Sequence, residues 1–137
     1  MKQTILELGY EPEVVPSRLR PQTLVDRSNE EIPEPVASAI IKAGAKGQLV
    51  FVDFFAQWCG ACKILDRTTL EDESVIKTLE NFVFLKVDAD QDPQALVHFN
   101  VVAMPTLVVL DVYGEEIYRH VGPIDAGRLI SDLESLR

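Results

Sequence analysis

The sequence predicts an α/β fold in which a central mixed β-sheet is flanked by helices on both faces. Two short apolar runs, residues 49–55 and 82–87, have the length of buried strands, and segments with helical spacing lie between them. Residues 106–110 and 116–121 form two further strand-like segments, joined by a turn at Tyr113-Gly114. Helical crossovers join parallel strands and hairpins join antiparallel ones, so the sheet is expected to contain both directions.

The first helix is predicted from its apolar spacing. Pro35 suits a first helical position, and the glycines Gly44 and Gly47 are expected to end the helix. Its apolar residues recur at helical spacing and form one face: Val36, Ala39, Ile40 and Ala43.

The remaining helices are predicted from a start signal followed by apolar residues on one face. The helix after Cys62 is expected to end near Arg67, because two threonines follow it. Pro93 suits a first helical position in a short helix that runs to His98. Three helices are each predicted to begin with an aspartate cap: Asp72, Asp92 and Asp125.

The chain is predicted to hold one folded domain. Its 137 residues are enough to bury about two thirds of the unfolded surface without disulfide staples. Residues 1–33 differ in composition from the rest of the chain. Prolines at this density forbid a long helix: Pro12, Pro16, Pro21 and Pro33. We therefore predict an extension over residues 1–33, which is either a disordered tail or lies on the domain with one short strand, and a domain over residues 34–137.

Charge and hydropathy exclude some classes of partner. The chain carries 13 basic and 22 acidic residues, and its formal charge of -9 would repel nucleic acid and anionic membrane surfaces. No apolar run reaches the length of about 18 to 20 residues that a membrane span needs, and no basic-then-apolar leader is present. A monomer in the cytoplasm is predicted, with a periplasmic or other extracytoplasmic location as the alternative if a leader was removed.

The two cysteines, Cys59 and Cys62, stand where the first strand is predicted to give way to a helix. This spacing lets both sulfurs meet as a disulfide, and the helix N-terminus favours a thiolate on Cys59. Zinc needs about four ligands, and His98 and His120 are not paired as in a zinc finger. A purely structural disulfide would restrain the unfolded chain very little over so short a loop. Redox chemistry is therefore predicted, with no metal and no bound cofactor.

The dithiol and its neighbours resemble the thioredoxin family. Residues that recur together in that family are present at the matching places: Asp53, Trp58, Cys59, Cys62 and Lys63. The segment from Lys86 to Pro93 resembles the family's third strand and the start of the next helix, and residues 102–106 resemble its cis-proline loop. Gly114 and Gly122 match two turn glycines. The resemblance covers residues 35–137, and the stretch after Cys62 is more similar to the C-terminal periplasmic domain of DsbD-type thiol reductases.

The resemblance implies a thioredoxin fold and assigns roles to individual residues. Cys59 is expected to attack a substrate disulfide and Cys62 to resolve the mixed disulfide. Asp53, if buried rather than solvated at the strand edge, is expected to accept the Cys62 proton, and Asp66 to tune the thiol pKa. Lys86 either faces Asp53 or is an ordinary surface lysine. The remaining implied residues contact the substrate: Trp58, Gly60, Ala61, Met104, cis-Pro105 and Gly122.

The predicted function is the reduction of protein disulfides. The dipeptide Gly60-Ala61 lacks the histidine that stabilises the thiolate in strongly oxidising relatives, so the reductive direction is favoured. The implied partners are disulfide-bonded client proteins and a thiol electron donor. The alternative is a chaperone-like binding module that holds unfolded proteins through the apolar rim around Trp58, Met104 and Pro105.

Overall fold

The computed structural model describes residues 32–137, and within them four strands form one mixed sheet in the order β2-β1-β3-β4. β1 pairs in parallel with β2 and antiparallel with β3, and β3 pairs antiparallel with β4. The strands are β1 (Leu49–Phe55), β2 (Phe82–Asp88), β3 (Thr106–Leu110) and β4 (Glu116–Val121). The predicted mixed sheet and its hairpin are confirmed.

Five helices and one short 3₁₀ turn accompany the sheet in the described part of the chain. They are α1 (Val36–Lys46), α2 (Gly60–Arg67), α3 (Glu73–Leu79), α4 (Pro93–His98), α5 (Ala126–Glu134) and the 3₁₀ turn Thr69–Glu71. The Asp72 carboxylate accepts the N–H groups of Ser74 and Val75, and Asp125 accepts that of Arg128. These two predicted caps are confirmed.

Three details of the predicted helix ends are wrong. Gly44 does not end α1, because it fits the helical backbone on an exposed side, and the left-handed conformation needed to end the helix occurs at Gly47 with φ 66°. Pro35 is the residue before the helix rather than its first residue. Asp92 precedes α4, but its side chain accepts no N–H of that helix, and only Pro93 acts as predicted.

The sheet separates two apolar cores because side chains alternate along each strand. Val50, Val52 and Phe54 of β1 point to one core, which α1 and α4 cover. Phe51 points to the other core, which is built by α2, α3 and α5. Burial of each large side chain contributes about 1.5–3 kcal/mol to folding. Asp53 and Phe55 continue the second face toward the end of β1, so the sheet itself aims a carboxylate at the α2 side.

The predicted extension cannot be compared with the structure, because residues 1–31 lie outside the described residues. Ile32, inside the predicted extension, packs against the core that α1 and α4 cover. The domain boundary at residue 34 stays a prediction. Among residues 32–137, no helix has both the length and the hydropathy required to cross a membrane.

Candidate active site

The dithiol lies at the N-terminus of α2, just beyond the end of β1. Cys59 is the residue before the helix, and its Sγ accepts the Cys62 backbone N–H at 3.1 Å. The two cysteines form a disulfide, with their Cα atoms 5.3 Å apart. A helix N-terminus carries partial positive charge from its unpaired N–H groups, so this position favours a thiolate at Cys59 once the disulfide is reduced.

Both cysteines of the dithiol are buried. In the disulfide form, 6% of Cys59 and 2% of Cys62 are exposed. Ala56 is buried beside the disulfide, and Ala61, Ala89 and Met104 pack against the same cluster. Cys59 is the more exposed of the pair only by a small margin, and therefore its predicted reactivity rests on the helix N-terminus rather than on exposure.

A loop before β3 supplies the second wall of the site. The Met104–Pro105 peptide bond is cis, as the resemblance implies. The Gly122 N–H donates to the Pro105 carbonyl at 2.8 Å, and the Thr106 hydroxyl donates to the Ala103 carbonyl at 2.6 Å. Gly122 has φ 98°, a conformation that glycine adopts readily. The first bond joins the cis-proline loop to the residue after β4, and the second lies within the loop.

The predicted substrate-contacting residues differ in exposure. Trp58 is 67% exposed, and Gly60 is also exposed. Ala61, Met104 and Gly122 are half-buried, whereas Pro105 is buried. Val102, which is almost fully exposed and close in sequence to Met104, adds an apolar side chain that is absent from the predicted set.

Three charged side chains, Asp53, Lys86 and Asp66, form a cluster where β1, β2 and α2 meet. Asp53 and Lys86 are register partners on β1 and β2, and Asp66 stands one helical turn after Cys62 on α2. The Lys86 Nζ lies 3.5 Å from Asp53 Oδ2 and donates to both oxygens of Asp66, at 2.8 and 2.9 Å. The sequence left two alternatives for Lys86, contact with Asp53 or an ordinary surface position. The structure shows that Lys86 faces Asp53.

Asp53 is buried with little compensation for its charge. Only 1% of it is exposed, and neither carboxylate oxygen has a hydrogen-bond partner among the described residues. The 3.5 Å contact with Lys86 is an ion pair, but it is too long for a good hydrogen bond. Burial raises the pKa of Asp53 from 3.8 to about 6; the Lys86 charge lowers it and the Asp66 charge raises it.

Phe55 also belongs to this cluster, although it is not among the predicted site residues. The Lys86 Nζ lies 4.7 Å from the centre of the Phe55 ring, within the range of a cation–π contact. Strand alternation could have found it, because Phe55 is two residues beyond Asp53 and faces the same side. Next to it, Gln57 donates to an Asp88 carboxylate oxygen at 3.2 Å.

The two histidines, His98 and His120, are not among the predicted site residues. His98 is exposed at the end of α4, and His120 is half-buried on β4 with a ring nitrogen 3.0 Å from the Pro123 carbonyl oxygen. Among residues 32–137, no three histidine, cysteine or acidic side chains cluster as a metal site would require. The chemistry that the dithiol and its neighbouring charged residues can perform is proton transfer and thiol exchange.

A sequence model of the thioredoxin family matches residues 37–135. The chain is 34% identical over 101 residues to the thiol:disulfide interchange protein DsbD of Citrobacter koseri, covering 71% of this chain and 16% of that protein. It is 34% identical over 79 residues to DsbD of Pseudoalteromonas atlantica, covering 55% of this chain and 13% of that protein. The chain thus spans less than a fifth of the length of these relatives.

Solved structures show the same fold. A thioredoxin from Thermus thermophilus superposes with a TM-score of 0.67 at 27% identity, over 76% of this chain and 83% of that one. A Fasciola hepatica thioredoxin gives a TM-score of 0.61 at 32% identity, over 74% of this chain and 94% of that one. The oxidised C-terminal domain of Neisseria meningitidis DsbD matches with a TM-score of 0.64 at 23% identity, over 74% and 92%, which shows likeness of fold alone.

Proposed function

The chain belongs to the thioredoxin family of thiol-disulfide oxidoreductases, and we propose that it works as a reductase of protein disulfides. The observation that carries this proposal is the Cys59–Cys62 disulfide at the N-terminus of α2, where the Cys62 N–H points at the Cys59 sulfur. In the reduced protein, the same N–H group stabilises negative charge on that sulfur.

The reaction has two exchange steps. The Cys59 thiolate attacks one sulfur of the substrate disulfide, a mixed disulfide forms, and the other substrate sulfur leaves as a thiolate that takes a proton from solvent. Cys62 then loses its proton and attacks Cys59 Sγ, which releases the second substrate sulfur and forms the Cys59–Cys62 disulfide. Two electrons pass from the dithiol to the substrate, and an external thiol donor returns them.

Asp53 is suited to accept the Cys62 proton, with a water molecule as the bridge. A base works best when its pKa lies near the working pH, and burial brings the pKa of Asp53 to about 6. An ordinary aspartate would be a much weaker base. The buried position of Asp53 on β1, six residues before Cys59, supports this role.

The face around the disulfide supports binding of an extended client segment. Among residues 32–137, neither the N–H nor the C=O of Met104 forms a backbone hydrogen bond, which leaves both without a backbone partner there. Trp58 and Val102 add exposed apolar area. The partners follow from this chemistry: a disulfide-bonded client protein and a thiol donor.

The location stays a prediction. Cytoplasmic is the expectation from sequence, and an extracytoplasmic location is the alternative.

The test of the function is an insulin-reduction assay with dithiothreitol as electron donor. Wild type is expected to accelerate insulin reduction. In Cys59→Ser the rate is expected to fall by at least about a hundredfold, because the attacking thiolate is gone. Circular dichroism confirms that the variant folds. Client binding that is equal in wild type and in a variant lacking both sulfurs, without any reduction by wild type, would instead select the chaperone-like module.

Trp58→Ala is expected to raise the KM for insulin about three- to tenfold and to leave the rate with a small aromatic disulfide nearly unchanged. The ring is 67% exposed, so its removal costs the domain little stability while it removes apolar contact with a large client. Tyr113→Ala is the matched control, because Tyr113 is 71% exposed in the turn between β3 and β4. Equal effects of the two changes on insulin would contradict a client surface at Trp58.

A further inference from the structure

The Lys86 ammonium contacts two carboxylates, the buried Asp53 and the partly exposed Asp66. The Lys86 side chain leaves β2 beside Asp53 and ends under α2, where it meets Asp66. Asp66 accepts two hydrogen bonds from Lys86 Nζ, at 2.8 and 2.9 Å, whereas the nearer Asp53 oxygen is 3.5 Å from the same atom. The cation is therefore shared unequally, in favour of the more exposed acid.

This arrangement is unusual, because the lack of a hydrogen-bond partner costs more free energy for a buried carboxylate than for an exposed one. Asp66 and Lys86 are both partly exposed, while Asp53 is almost completely buried. Water can solvate Asp66 but cannot reach Asp53 freely, so an unconstrained Lys86 would gain more by hydrogen bonding to Asp53. Two contacts hold the ammonium where it is: the two-oxygen contact with Asp66 and the Phe55 ring at 4.7 Å.

We propose that Asp66 is a positioning residue: by binding Lys86 through both of its oxygens, it keeps the ammonium beyond hydrogen-bond distance of Asp53, and so keeps Asp53 able to take up a proton. Asp66 then acts on the dithiol through Lys86 and Asp53, rather than only through its own charge. Removal of Asp66 frees Lys86 to donate to Asp53, which holds that carboxylate in its ionised form.

The charged groups that act on Asp53 are few. Lys86 of β2 and Asp66 of α2 are the two whose charges change its proton affinity. On its other side, Asp53 pairs with the apolar Leu107 of β3, and along β1 its same-face neighbours are Phe51 and Phe55. Asp88, two residues after Lys86 on β2, pairs with Phe55 and accepts a hydrogen bond from Gln57, and Cys59 and Cys62 do not titrate in the disulfide form.

The test is an NMR titration of the Asp53 carboxyl carbon in the oxidised protein, where no thiol interferes. Wild type is expected to titrate near pH 6. In Asp66→Asn, the midpoint is expected to fall by about one pH unit or more, because Lys86 can now donate to Asp53. A midpoint that does not fall would overturn the proposal.

A second pair of variants separates positioning from simple repulsion between the two acids. Lys86→Met is expected to raise the Asp53 midpoint, and adding Asp66→Asn to Lys86→Met is expected to change it much less than Asp66→Asn changes wild type. If the two changes are equal, Asp66 acts by its own charge and the proposal is wrong. Lys86→Gln replaces Lys86→Met if the latter folds poorly.

Two controls complete the experiment. Asp66→Glu keeps a carboxylate that can reach Lys86 and is expected to restore most of the wild-type midpoint. Glu71→Gln removes an exposed acid from the 3₁₀ turn after α2, and because its charge does not act on Asp53, the midpoint is expected to stay unchanged. A general effect of lost negative charge would move the midpoint in both Asp66→Asn and Glu71→Gln, against the proposal.

The consequence for catalysis rests on the proposed function, in which Asp53 is the base for Cys62. The pH dependence of mixed-disulfide resolution is then expected to move to lower pH in Asp66→Asn, in parallel with the titration. If the titration shifts as expected while resolution does not depend on Asp53, the positioning by Asp66 stands and only the catalytic role of Asp53 fails.

Discussion

Cys62→Ser is expected to stop catalytic turnover and to accumulate a mixed disulfide between Cys59 and the client. Cys59 keeps its place at the N-terminus of α2, so the first attack still occurs, but no second sulfur is present to release the client. Insulin reduction should fall by at least about a hundredfold. Mass spectrometry of the variant mixed with a peptide disulfide measures the adduct.

The control for trapping is Cys59→Ser, which retains only the deeper sulfur and should form little adduct under the same conditions. In reduced wild type, iodoacetamide is expected to modify Cys59 before Cys62 near neutral pH, because the helix N-terminus favours the Cys59 thiolate. Since burial of the two residues differs by only a few per cent, this order depends on thiolate stability. Modification of Cys62 first would reverse the two roles.

Asp53→Asn is expected to make the oxidised protein more stable relative to wild type as the pH rises. The folded pKa of about 6 lies above the ordinary value of 3.8, so the folded state binds the Asp53 proton more tightly than the unfolded state does. Ionisation of Asp53 therefore costs stability that is absent below about pH 4, develops between pH 4 and 6, and is complete above pH 6. The full cost is about 3 kcal/mol.

The measurement is urea unfolding of both oxidised proteins at pH 4 and pH 8. The stability difference between variant and wild type should be up to about 3 kcal/mol more favourable to the variant at pH 8 than at pH 4. Comparison across pH cancels the constant cost of burying the Asn amide. Glu71→Gln, at an exposed position, should change stability by less than about 0.5 kcal/mol at both values. A stability difference that does not depend on pH would contradict a raised pKa for Asp53.

The same Asp53→Asn variant is expected to resolve the mixed disulfide at least about tenfold more slowly at pH 7, with a smaller effect on its formation. The Asn side chain has a similar size but cannot take the Cys62 proton as a carboxylate does. Stopped-flow kinetics with a peptide disulfide separates attack from resolution. Unchanged resolution would leave bulk water as the proton acceptor.

Most of the fold and the identity of the dithiol follow from local sequence patterns. The structure places β1 at Leu49–Phe55, as predicted, because a short apolar run can satisfy its backbone and bury its side chains only inside a sheet. Asp72 and Asp125 cap their helices because a cap needs only N–H groups two or three residues away. The Cys59–Cys62 spacing likewise brings the two sulfurs together through local geometry.

Tertiary structure decided the surroundings of the dithiol. Lys86 and Asp66 are 20 residues apart in sequence, and their contact depends on where α2 lies across β2. The same placement leaves the Asp53 carboxylate without a hydrogen bond from any described residue and puts the ammonium over Phe55, which no local pattern specifies. Residue types and spacing thus determined that this chain carries a redox dithiol with an acid six residues before it, and the tertiary structure decided that this acid is buried. The packing of α2 on the sheet decided which carboxylate holds the cation, because proton affinity depends on burial and on distances of a few tenths of an ångström between groups far apart in the chain.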